Sequence, residues 1–482
     1  MNETPDDQET PPPAIWTDEV TAPPMIDIAE AAPPTDLPPI QIHAAEMIDE
    51  DVTVVDERSL PVKCWSWFCN VLDWLFGMAC VIAGLALVAT IPIAQFLSLG
   101  YLLEVSGRIS RTGRISEGFI GIRQASRVGS IVLGTWLMFL PIRFASTVWS
   151  ASQLIDPDSR ATAGWRIGLL TVTVLMIGHI VVSWSCGGKL RHFFWPFLAP
   201  MFFAMWGLRR IVSSQRLAPI VRPVVGTISK RLLRDLTRVP PLSEWFPPAI
   251  LLARVRQGGM YVSARDTVWE FAVNMRLHYY FWLGLRGFAG AIVWLFVPVM
   301  LIIATTQLSL DNQQAAQGLG GLAGFIGSML LMVVVLYLPF MQTHFAAQNR
   351  FVAMFELGTV RKLFRQAPLA FWFALLITVA FAIPLYLLKI EYPPREILWL
   401  PSLLFVIFIL PARIITGWAL GRAMKRKEPR YFLTRWIARL GTLPVVVIYV
   451  FFAYFSQYTS WYGPFSLFEQ HAFLPPVSFL GL

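Results

Sequence analysis

The sequence predicts an all-α, polytopic membrane protein with eight transmembrane helices, or seven plus a re-entrant hairpin, and amphipathic helices at the interfaces. Three observations carry that expectation. Of 482 residues, 56% are hydrophobic and 14% charged, whereas soluble domains carry about 25% charged residues. The apolar residues come in long unbroken runs rather than at amphipathic spacing. Basic residues are also concentrated in alternate connections between those runs. The clearest run, Leu319–Gln342, has no charged residue, and a helix of that length crosses a ~30 Å hydrocarbon core. The 19 Trp and 35 Phe suit two membrane interfaces, where amphipathic rings anchor helix ends.

Taken in order, residues 1–62 read as a disordered acidic tail. The first sixty hold fifteen Asp and Glu, ten Pro and one basic residue, Arg58. Such a segment cannot bury enough apolar surface to offset chain entropy. It also lacks the basic start and apolar core of a signal peptide. Residues 63–482 form the helical transmembrane domain, with spans at about 72–95, 129–151, 167–187, 287–307, 319–342, 369–388, 397–417 and 441–459.

The first apolar run, Val71–Leu103, exceeds one crossing and contains Pro92. It reads as a span ended near that proline, followed by a helix lying at the interface. Eight spans place both termini outside the cytoplasm. Folding Val71–Leu103 into a re-entrant hairpin instead gives seven spans and a cytoplasmic N-terminus.

Residues 188–286 form the longest basic region. Within it, Phe193–Leu208 holds two prolines in sixteen residues, short for a crossing, so an interfacial or re-entrant segment is expected. Ile228–Leu236 reads as a surface-lying amphipathic helix. The connections 104–128, 188–286, 343–368 and 418–440 together hold 31 of the 39 Lys and Arg. The positive-inside rule puts these four on the cytoplasmic side. Because the bases lie between spans, they are expected to meet the lipid bilayer's anionic headgroups and membrane-protein partners, and not nucleic acid.

Gly320, Gly324 and Ser328 recur at four-residue spacing, a helix-packing face that lets another helix approach closely in lipid. An internal repeat is also visible. Pro92 to Gln95 resembles Pro339 to Gln342, and an Arg-Gln-Ala tripeptide follows each, at Arg123 and Arg365. Ile91–Phe119 combines an apolar-Pro stretch, a Gly-Tyr step and a basic helix. That order is similar to an uncharacterised family of multi-pass prokaryotic membrane proteins. The resemblance implies a bacterial-type cell (cytoplasmic) membrane and no particular activity.

No HExxH, Gly-x-Ser-x-Gly, phosphate-binding or dinucleotide signature occurs, and the six histidines show no metal-ligand spacing. The sequence therefore nominates no catalytic residue, no cofactor and no metal, and reads as non-enzymatic. What remains are polar groups in or beside spans: Asp73, Gln95, Arg143, His179, Gln307, Gln342 and Arg413. Asp73 starts its span, and Arg413 ends its own, where it can snorkel to the interface. Arg143, just after Pro141, and His179 on the next span form the candidate intramembrane polar site, suited to an anionic substrate or lipid headgroup. An Arg143 snorkelling outward is the competing reading. Two functions follow. The first is a non-enzymatic scaffold or assembly protein. The second is a transporter or lipid translocator built from two related halves.

Overall fold

Helix α1 (Leu60–Ala89) and helix α3 (Ile122–Ile155) run in the same direction in the computed structural model of the chain. Trp74 meets Phe119 at a ring separation of 5.3 Å. Gly77 lies against Ile122 and Ser126, and Gly129 against Cys80. Residue numbers rise together along the pair, so the chain must return between them. It does so through α2 (Gln95–Thr112), after a turn in which Ile93 takes a positive φ of 69°. Val71–Leu103 therefore folds back. The structure describes residues 60–197, 246–258, 260–309, 314–387, 399–459 and 463–468, with isolated positions at 199–200, 203–204, 206–207, 470 and 473–474. Nearly all of the expected acidic tail and the helix expected at Ile228–Leu236 lie outside them.

The remaining long helices are α4 (Arg160–Ser185), α5 (Pro247–Gln257), α6 (Met260–Asn274), α7 (Leu277–Ser309), α8 (Gln314–Gln348), α9 (Leu357–Gln366), α10 (Pro368–Leu387), α11 (Trp399–Met424) and α12 (Phe432–Thr459). Among the described residues there is no strand, and eight helices are long and apolar enough to cross a membrane. A helix satisfies its own backbone hydrogen bonds, which lipid cannot do for it.

Helix α2 lies at the centre of the bundle, not at an interface. Thirteen of its eighteen residues are buried, and it packs on α1, α7, α8 and α11. Small residues make this possible. A methyl group on Gly100 would fall 1.8 Å from the Tyr280 carbonyl oxygen, and one on Gly284 would fall 1.9 Å from that of Phe96. Likewise Gly417 would meet the Ser106 carbonyl at 2.5 Å and Gly421 those of Ile109 and Ser110 at 3.1 Å. Backbone here rests on backbone, the close approach that small residues permit in lipid. Ser106 and Ser110 donate to carbonyls of their own helix at 2.8 Å, so neither hydroxyl is stranded.

One turn occurs twice. Helix α2 ends at Gly113 (φ 67°), followed by Arg114 (φ −117°, ψ 124°), the 3-10 turn Ile115–Gly118 and Phe119 (φ −86°, ψ 70°). Helix α8 ends at Asn349 (φ 53°), followed by Arg350 (φ −116°, ψ 124°), the 3-10 turn Phe351–Phe355 and Glu356 (φ −78°, ψ 58°). Gly and Asn are the residues that tolerate this left-handed position best. The repeat thus centres on Arg114 and Arg350. Pro92 sits in a turn whereas Pro339 lies inside α8, so those two prolines are not equivalent. The second copy carries the extra helix α9, which places Arg365-Gln366-Ala367 at its end while Arg123-Gln124-Ala125 opens α3.

Hydrogen bonds join the described parts of the basic connections to one another. Arg111 donates to the Ala346 carbonyl at 2.8 Å, Arg286 to Asn349 Oδ1 at 2.9 Å, and Lys425 to the Gly113 carbonyl at 3.3 Å. The Arg430 amide reaches the Arg365 carbonyl at 2.9 Å. Phe193–Leu208 is helical where described apart from a bend at Phe194, with Trp195 and Phe203 both against Phe246.

Candidate functional site

Arg143 is exposed on α3, and its carbonyl accepts from Thr147 one turn on at 2.9 Å. His179 is half-buried on α4, where Nε2 lies 2.7 Å from the Phe193 carbonyl and the ring stacks on Trp195. Among the described residues no hydrogen bond or ion pair joins the two. On the glycine face, Gly320 is buried and Gly324 is half-buried against Thr305 of α7. Ser328 is half-buried, while its neighbour Gly327 meets backbone, a methyl group added there falling 3.0 Å from the Pro298 carbonyl oxygen.

The structure brings together two groups that the sequence kept apart. Arg413 does not snorkel. Helix α11 runs on to Met424, so Arg413 lies inside the bundle with 2% of its surface exposed. Its guanidinium donates to Gln342 Oε1 at 2.7 Å and to the Phe473 carbonyl at 3.2 Å. Gln342 Nε2 donates to that same carbonyl at 3.3 Å. Phe473 belongs to the C-terminal segment, whose Gln470 accepts from Tyr449 at 2.6 Å and from Tyr386 at 3.2 Å. Among the described residues no carboxylate faces Arg413, and its Nε and one terminal nitrogen lack partners.

A buried charge without a counter-ion costs several kcal/mol. Arg413→Met, which removes that charge and strands only the Gln342 oxygen, is therefore expected to leave the purified protein at least as heat-stable as the parent. Gln342→Leu keeps the charge and deletes its shortest acceptor, for an expected loss of about 1–3 kcal/mol. Parallel thermal denaturation in detergent checks that order.

The second group lies at the basic side. Glu104 of α2 is 8% exposed and accepts from Arg111 and, at 2.8 Å, from the Tyr279 hydroxyl of α7. Across from it, His344 of α8 lies 3.0 Å from Glu356, which Arg350 also approaches at 3.3 Å. The hydrogen bond from His344 holds the Glu356 carboxyl below the usual range. Glu104 ties α2 to α7, and Glu356, at the end of the second repeated turn, ties that turn to α8. Helix α9 completes this side: Val360 is fully buried, Leu363 and Phe364 are half-buried, and Arg361, Lys362 and Arg365 are exposed. That division is the mark of a helix lying along an interface.

A family described as "Protein of unknown function (DUF4013)" has a model that matches residues 248–390. The chain resembles an uncharacterised family. The match runs from α5 through α10 and includes the second copy of the repeated turn. It lies outside Ile91–Phe119, the stretch that carries the likeness in the sequence. No curated protein and no solved structure matches the chain.

Sequence reasoning named Gln342 and Arg413 but not their meeting, since 71 residues separate them. It missed Glu104 altogether. The available signal was Gly100 and Gly107 flanking it, small residues at helical spacing that mark a buried face.

Proposed function

We propose that the protein is a non-catalytic membrane scaffold whose basic side binds anionic lipid headgroups and membrane-protein partners. One observation carries this reading. The middle of the bundle is closed by α2, clamped backbone to backbone at Gly100, Gly284, Gly417 and Gly421. Packing of that kind resists the rearrangement that alternating access requires. The exposed bases of α9, together with the arginine-bearing turns, supply the face for anionic lipid. The positive-inside rule places that face in the cytoplasm.

A transporter or lipid translocator of two related halves is the second reading. The duplicated turn at Arg114 and Arg350 favours it, as does Arg413, buried with no carboxylate facing it among the described residues. Reconstitution into vesicles separates the two. The scaffold reading expects lipid scrambling and anion efflux at the level of protein-free vesicles. A rate above that control, lost in Arg143→Leu or Arg413→Met, carries the transporter reading instead.

A further inference from the structure

A cavity of about 300 Å³ opens between α8, α9, α10 and α12. Its wall is apolar over most of its length, with Met332, Leu336 and Phe340 from α8, Leu375 from α10 and Leu443 from α12. From Met332 to Phe340 the α8 wall runs about 12 Å along the helix axis. Two charges line it, Arg361 on the interfacial helix α9 and Arg439 on α12. Both are exposed, and among the described residues neither pairs with a carboxylate. Arg439 lies over the Trp436 ring at 5.8 Å, a cation–π contact that holds a guanidinium beside an aromatic anchor.

The distribution is that of an amphiphile in negative. The apolar wall follows three membrane helices into the hydrocarbon, and the charges come from the basic side, where α9 lies. We propose that this groove holds one anionic glycerophospholipid, an acyl chain along α8 and the phosphate between Arg361 and Arg439. A zwitterionic lipid fills the apolar wall equally well, but its own cation offsets the phosphate. A soluble phosphate gains nothing from Leu336 or Leu443. The inference rests on the reading that the basic side meets anionic lipid, and adds to it a single site with a defined occupant.

The test uses the full chain purified in detergent, with phosphatidylglycerol or phosphatidylcholine added and retained lipid counted by native mass spectrometry. The parent is expected to keep one phosphatidylglycerol in clear preference to phosphatidylcholine. Arg361→Gln with Arg439→Gln should weaken that retention by about tenfold or more, each arginine near the surface contributing as a headgroup contact. Leu336→Trp, which fills the apolar wall, should displace both lipids. Arg127→Gln with Lys427→Gln, both exposed and outside the groove and the arginine-bearing turns, lowers the same charge on the same side and should change nothing. Equal losses in the two double variants overturn the groove while leaving a general preference of the basic side intact. A parent without preference for phosphatidylglycerol overturns that wider reading as well. Retention unaffected by Leu336→Trp places the lipid elsewhere and also overturns the proposal.

Discussion

Gly100→Val is expected to abolish the folded protein. Even a methyl group at this position would lie 1.8 Å from the Tyr280 carbonyl and 2.9 Å from the Gly284 nitrogen. Those are backbone atoms, which cannot rotate aside as a side chain would. Helices α2 and α7 would have to separate along their whole contact. Overpacking in a well-filled core costs 1–3 kcal/mol when side chains yield, and here none can, so a loss of at least ~3 kcal/mol is expected. Fluorescence-detected size-exclusion chromatography should show the monodisperse peak disappear. Gly178→Val is the matched control, because nothing lies within 4 Å of a side chain added there. A Gly100→Val protein as stable as the control would remove α2 from the centre.

The second large effect is expected at Glu104. This carboxylate accepts from Arg111 and Tyr279, and Arg111 reaches on to the Ala346 carbonyl at 2.8 Å. One buried acid thus links α2, α7 and α8. Glu104→Leu strands the Tyr279 hydroxyl and leaves Arg111 without its counter-charge. The Arg111 side chain is 38% exposed, so water screens part of that loss. About 1–3 kcal/mol remains. Glu104→Leu with Arg111→Leu should cost less than Glu104→Leu alone, since removing both members of a buried pair is often nearly neutral. A double-mutant cycle read by thermal denaturation tests this. Additive losses would mean that the pair is not coupled.

These two residues also explain which parts of the fold were legible in advance. Run length alone locates the apolar spans, because lipid demands about twenty apolar residues in a row. It fails for α2, whose Glu104, Arg108 and Arg111 lower its hydropathy. Hydropathy weighs each residue by itself and cannot see that Glu104 and Arg111 neutralise one another. The same blindness put Arg413 at a span end. Its acceptors, Gln342 and Phe473, come from distant parts of the chain, and no local pattern announces them. Once α2 becomes a returning helix, the side of α1 changes too.

The duplicated turn was legible only in part. A shared Pro and Gln drew attention to the right halves of the chain but to the wrong register. The true correspondence lies in backbone angles at Gly113–Arg114 and Asn349–Arg350. Gly and Asn do the same conformational work there while sharing little as side chains.

The direction of α1 is the point on which the arrangement turns, and Cys64, exposed at its start, reports it directly. The measurement is labelling by a membrane-impermeant maleimide in cells, with Cys64 as the sole cysteine, and with Lys425→Cys and Asp158→Cys in a cysteine-free background. Helix α1 running beside α3 predicts that Cys64 and Lys425→Cys react only after permeabilisation, whereas Asp158→Cys reacts in intact cells. Cys64 reacting in intact cells together with Asp158→Cys would contradict the returning α2 and the bundle built around it.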